Sequence, residues 1–321
     1  MEREKLVELR DVRKEFSVST GFAKKGITRA LDGITLDIYK GETLGLVGES
    51  GCGKSTLGRV ILNLIPATSG QVLFEGNVIS GLSDRQMRKY RKDMQIIFQD
   101  PYGCLDPREK VYDIIAAPLR LQGIKDKREL DRLVFGLMEE VGLRKDYFDR
   151  FPHEFSGGQR QRIGIARAIA TKPKFIVCDE PVSALDVSVQ AQVVNLIQDL
   201  QQQYDLTYLF ISHDLRVIKH LCDRIVVMYL GVVVEMGSKE DIYDHPAHPY
   251  TQALLSAVPE VTEEAPQEGA ILEGEIPSPL NVPSGCRFHT RCPYATEECS
   301  ARVPELQDLG GGHLCACLRK A

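Results

Sequence analysis

The sequence predicts an α/β protein: a mixed-sheet core, a helical subdomain within it, and a small cysteine-rich C-terminal extension. Three observations carry this. Strand-like and helix-like segments alternate from Leu6 to about Gly237, the pattern of layered α/β architecture. The apolar run at 43–47 leads straight into Gly48-Glu49-Ser50-Gly51-Cys52-Gly53-Lys54-Ser55, a complete G-x-x-x-x-G-K-[ST] phosphate loop. A second apolar run, Phe175-Ile176-Val177-Cys178, ends in the acidic pair Asp179-Glu180.

Taken in order, residues 43–47 read as the buried strand feeding the loop, and 56–64 as the helix that the loop opens. Residues 17–28 read as an inserted loop. From 93 to 171 the pattern is mostly helical. Ile163, Ala166 and Ile169 fall on one side of a helix at 160–170. Val189, Val193, Ile197, Leu200 and Tyr204 recur every three or four residues and give another helix one apolar face. Residues 207–212 and 224–235 read as strands, the second bent at Leu230-Gly231. After Val258 the composition turns rich in Pro, Glu and Gly. The expected division is therefore a main domain at 1–258 with its helical subdomain at about 93–171, a linker at 259–285 and a cysteine-rich tail at 286–321.

The chain has 321 residues and a net charge of −5, without the basic surplus that a nucleic-acid partner calls for. The N-terminus is charged, with no apolar signal segment. The longest apolar run, 225–234, is about half of the roughly 20 residues a membrane helix needs. These features point to a cytosolic protein that meets a membrane only through a partner. Nine cysteines are present. Cys52, Cys104, Cys178 and Cys222 are scattered and read as small core residues. Cys286, Cys292, Cys299, Cys315 and Cys317 crowd the tail, where a reducing compartment favours metal binding over disulfides.

The phosphate loop has a clear chemistry. Gly48, Gly51 and Gly53 let the backbone amides, with those of Glu49, Ser50 and Cys52, converge on phosphate oxygens. Lys54 brings positive charge to the β- and γ-phosphates, and Ser55 offers a hydroxyl to Mg²⁺. Thr56 continues the helix, whose positive end faces the same anion. Asp179 emerges from a buried strand, placed to hold Mg²⁺ through water.

Phe155-Ser156-Gly157-Gly158-Gln159 lies between the loop and the acidic strand end. That order resembles the ATP-binding cassette (ABC) ATPases. The resemblance implies an ABC-type P-loop ATPase domain in which Ser156, Gly157, Gly158 and Gln159 of one subunit close over ATP held by another. It makes Glu180 the carboxylate that polarises the attacking water and His213 the switch residue at the γ-phosphate. Gln99, in Ile96-Ile97-Phe98-Gln99-Asp100-Pro101, matches the glutamine that reaches Mg²⁺, and Pro181 to Asp186 matches the loop that ends in Asp186. Phe16 occupies the place of the adenine-stacking aromatic, with Phe22 as its rival.

The run 151–162, His248-Pro249-Tyr250-Thr251 and Pro277-Ser278-Pro279 resemble the ATPase subunits of dipeptide and oligopeptide permeases. Gly285-Cys286-Arg287-Phe288-His289-Thr290-Arg291-Cys292 is similar to the second of the two paralogous ATPases in such systems. This implies an uptake machine on the cytoplasmic face of the membrane: a heterodimer with a paralogous ATPase, two transmembrane permease subunits and an extracytoplasmic substrate-binding protein. Its cargo is a peptide or, in related importers, nickel or glutathione. A soluble ABC ATPase acting on DNA or ribosomes is the competing class. It would show a long coiled coil or two cassettes, and neither pattern is present. The resemblance also implies a 4Fe–4S cluster on Cys286, Cys292, Cys299 and Cys317, with Cys315 as the rival fourth ligand. Zinc or free thiols are the alternatives.

Overall fold

The computed structural model describes residues 3–19, 25–100, 102–257 and 274–320. Phe22 and residues 259–273 of the expected linker lie outside them. In chain order the chain first forms strands β1 (Lys5–Ser19), β2 (Lys25–Tyr39) and β3 (Thr43–Val47), then helix α1 (Lys54–Ile61). Next come β4 (Ser69–Phe74), β5 (Asn77–Val78), α2 (Asp84–Arg91) and β6 (Met94–Ile97). Helices α3 (Val111–Leu121), α4 (Lys127–Glu140) and α5 (Gly157–Ile169) follow. After them run β7 (Phe175–Asp179), α6 (Val187–Tyr204), β8 (Thr207–Ile211), α7 (Leu215–Leu221), β9 (Arg224–Tyr229) and β10 (Val232–Ser238). The chain closes with α8 (Lys239–Asp244), α9 (Pro249–Ser256), α10 (Glu297–Ala301), β11 (Gln307–Asp308) and β12 (Leu314–Cys315).

Two compact units divide these elements, one of residues 1–39, 43–81 and 212–321, the other of 40–42 and 82–211. In the first unit β1 and β2 pair antiparallel as a long ribbon, with Phe16 opposite Thr28 and several register shifts. Both strands extend into the stretch expected to be an inserted loop, so residues 17–19 and 25–28 are strand instead. β4 and β5 extend this sheet on the other side of β1. A second sheet of the same unit runs β11-β12-β10-β9-β3. There β3 lies parallel to β9, Val47 opposite Val227, and β9 returns antiparallel as β10. All five residues of β3 are buried, as a strand covered on both faces must be. Leu230 and Gly231 make the β9–β10 turn with positive φ, 43° and 82°, where the sequence placed its bend.

In the second unit β6, β7 and β8 are neighbouring parallel strands. The region expected to be mostly helical thus begins with a strand, β6. Its four residues are too few to show a period against the helical signals around them. Beyond it the expectation holds. Asp126 caps α4 by accepting from the Glu129 amide at 2.9 Å. Along α6, Val193, Ile197 and Leu200 are buried, on the face that the periodicity marks.

Candidate functional site

In the first unit β3 delivers the phosphate loop. Gly48 has φ of 150°, and a Cβ there would stand 2.2 Å from the Met228 carbonyl oxygen, so only glycine fits. The loop runs into α1 through Gly53, which gives the helix no side-chain cap. The start of α1, where Ser55 and Thr56 lie, carries the positive end of the helix dipole, which favours an anion. Lys54 is buried, and its Nζ donates to the carbonyls of Gly48 and Glu49 at 2.7 and 3.0 Å. Ser50 and Gly51 are exposed at the loop's tip. Cys52 is buried, and that burial pushes its thiol pKa up, so it is a packing residue.

Glu49 is held at both ends. Its amide donates to the Tyr250 hydroxyl at 2.8 Å. Its carboxylate accepts both terminal nitrogens of Arg291, at 2.7 and 3.1 Å. That bond, opposed by burial, raises the arginine's pKa. Tyr229, Tyr250 and Phe288 pack ring against ring around this contact, with centroids 4.7–5.3 Å apart. His248 caps α9, its Nδ1 accepting from the Tyr250 amide. Burial lowers its pKa to about 4, keeping it neutral. Phe16 is 39% exposed on β1, with the Lys14 amine 4.9 Å from its ring centre. One face of that ring is thus already taken by a cation. His213 is exposed just ahead of α7. The Ser212 amide donates to the Leu46 carbonyl, which sets His213 next to the strand that delivers the loop.

In the second unit Asp179 ends β7 and is 2% exposed. Glu180 follows with φ of 46°, a left-handed conformation that a non-glycine residue adopts at some cost. Its amide donates to the Ile211 carbonyl, and the Ser183 amide and hydroxyl both donate to its own carbonyl. Ile97 and Cys178 are partners across β6 and β7. Gln99 and Glu180 each stand two residues beyond them, and the Gln99 Nε2 donates to Glu180 Oε2 at 2.8 Å.

Ser156 caps α5. Its hydroxyl accepts from the Gln159 amide, and the Gln159 side-chain oxygen accepts from the Ser156 amide, a reciprocal capping box. Phe155 is buried edge-on to Tyr147. A Cβ on Gly158 would come within 2.3 Å of the Val189 side chain, so this glycine lets α5 approach α6. Asp186 is exposed at the start of α6 and caps it with no side-chain bond.

Cys286, Cys292, Cys299 and Cys317 are all half-buried and line one small cavity, with Phe288 and His289. Cys315 is instead buried in β12, opposite Glu235. Among the described residues no group of three His, Cys, Asp or Glu side chains could hold a metal ion. The 4Fe–4S cluster expected in the tail therefore lacks the support of a metal-binding group. Tyr250 and Arg291 were not singled out for the loop in the sequence, since nothing local in either segment points to a residue some 200 positions earlier.

Known proteins supply the remaining comparison. Residues 31–183 match the ABC transporter family model, and 234–299 match that of the oligopeptide/dipeptide transporter C-terminal region. The oligopeptide transport ATP-binding protein AppF of Bacillus subtilis is 51% identical over 98% of this chain and 97% of its own length. A putative peptide import ATP-binding protein of Brucella ovis is 53% identical over 93% of this chain and 96% of its own. The oligopeptide transport ATP-binding protein OppF of Escherichia coli is 49% identical over 99% of this chain and 97% of its own. A dimeric ATP-binding cassette in a post-hydrolysis state with ADP and Pi superposes with a TM-score of 0.66 at 28% identity. It covers 73% of this chain and 99% of its own. The cbiO1 structure from Clostridium perfringens gives 0.64 at 25% identity, covering 75% of this chain and 92% of its own. Among the described residues no helix is long and apolar enough to cross a membrane.

Proposed function

The chain belongs to the ATP-binding subunits of ABC transporters, in the oligopeptide and dipeptide branch, and from that membership we propose how its residues divide the work. It is an ATP hydrolase that powers oligopeptide uptake. The loop amides of Gly48–Gly53, with Lys54 and the first turn of α1, hold the β- and γ-phosphates. Phe16 offers its remaining face to adenine. Ser55, Gln99 and Asp179 supply hydroxyl, amide carbonyl and carboxylate oxygens, the hard donors that Mg²⁺ takes. The ion, when bound, neutralises charge on the phosphates as the terminal bond breaks.

Glu180 accepts the proton of the attacking water, and Gln99 fixes the direction of its carboxylate. His213 meets the γ-phosphate. Ser156, Gly157, Gly158, Gln159 and Asp186 face the nucleotide of a second ATPase subunit, a paralogue of this chain. The complete importer adds permease subunits, two in this reading, and a substrate-binding protein, with this chain peripheral on the cytoplasmic side. The tail cysteines are a 4Fe–4S site. This reading is supported by four soft thiols on one cavity, Cys317 among them and Cys315 not. The observation that carries the catalytic assignment is the Gln99–Glu180 hydrogen bond one residue past a buried Asp179. In the purified transporter Glu180→Gln is expected to lower hydrolysis roughly 10²- to 10⁴-fold while ATP still binds. Undiminished turnover would remove Glu180 from the role of base.

A further inference from the structure

The tail reaches into the phosphate loop through one side chain. Arg291 directly precedes the tail cysteine Cys292, and its side chain is only 5% exposed. Both terminal nitrogens of its guanidinium go to the Glu49 carboxylate. One of them also reaches the Tyr229 hydroxyl, at 3.4 Å. Its Nε is buried with no hydrogen-bond partner. A buried donor left unmade is costly, so the side chain is oriented for Glu49 and not for a wider network. Four residues earlier Arg287 bonds Asp32 and the Leu230 carbonyl in the same unit, which anchors the segment.

Glu49 is an unusual neighbour for phosphate. It follows Gly48 in a loop whose amides face an anion, and its own carbonyl accepts from Lys54. A bare carboxylate there opposes the charge that the loop must attract. We propose that Arg291 is a positioning residue of the nucleotide site, which neutralises and fixes Glu49 so that the loop accepts phosphate. This rests on the ATP-binding reading above and deepens it. It makes the cysteine-rich tail a working part of the phosphate loop and not an appendage.

Calorimetry of the full-length chain with the non-hydrolysable analogue AMP-PNP separates the cases. Arg291→Gln is expected to weaken binding roughly 5- to 20-fold, with the loss shrinking as salt rises. Adding Glu49→Gln removes the exposed charge, so the double variant should return to within about twofold of wild type. Glu49→Gln alone should bind at least as tightly as wild type, and it tests the idea even if Arg291→Gln fails to fold. Unchanged affinity in Arg291→Gln, no rescue in the double variant, or weaker binding by Glu49→Gln overturns the proposal. No binding by the wild-type chain would instead overturn the ATP-binding reading on which it rests.

Discussion

At the scale of single residues, the carboxylate proposed as the base differs from its neighbour in both backbone and burial. Asp179 and Glu180 are adjacent in sequence, yet Asp179 is buried at the end of β7 while Glu180 is half-buried in a left-handed turn. Gln99 then donates a hydrogen bond to the Glu180 carboxylate. Gln99→Ala removes that bond and leaves Glu180 less firmly oriented. Hydrolysis is expected to fall roughly tenfold or more, with nucleotide affinity reduced less, as steady-state kinetics beside equilibrium binding would show. Equal losses in both would make Gln99 a binding residue alone. Such pairs were legible in sequence because loop, Gln99, Asp179 and Glu180 each lie in a short motif whose neighbours declare it. Arg291 and Tyr250 were not. They meet Glu49 across 242 and 201 positions, and a contact of that range leaves no local period or spacing to read.

Among the elements, helix α5 joins two requirements. Its capping box uses the side chains of Ser156 and Gln159 to close the helix start, while Gly158 lets it pack against α6. What remains to face outward is the helix end itself, with its positive dipole. Ser156→Arg would place bulk over that end and break the box. The mutant chain should still bind ATP through its own Lys54, yet abolish hydrolysis at the site of the subunit paired with it. Mixed dimers carrying one mutant subunit would report this, and normal turnover at the opposite site would exclude a role across the interface. Sequence spacing predicted this helix well, since 13 residues give a clear period. It failed for β6, where four residues give none, and at the ends of β1 and β2, where polar residues stay in strand because the ribbon pairs them.

For the whole molecule, the tail raises a question of composition. Protein purified without oxygen is expected to contain iron and acid-labile sulfide, and Cys292→Ser to lose both. Stoichiometric zinc without sulfide would replace the cluster with a mononuclear site. The unit that holds the phosphate loop is assembled from residues 1–39 and 43–81 together with 212–321, and this has a consequence for synthesis. The strand partner of β3 within its unit is β9, and the tyrosine that holds the Glu49 amide is Tyr250. A ribosome adding about 5–20 residues per second therefore releases the loop roughly 10–40 s before these partners emerge. During that interval the loop has the early strands β1 and β2 of its unit but neither β9 nor Tyr250. The growing chain must therefore extend past Tyr250 before nucleotide can help this unit fold.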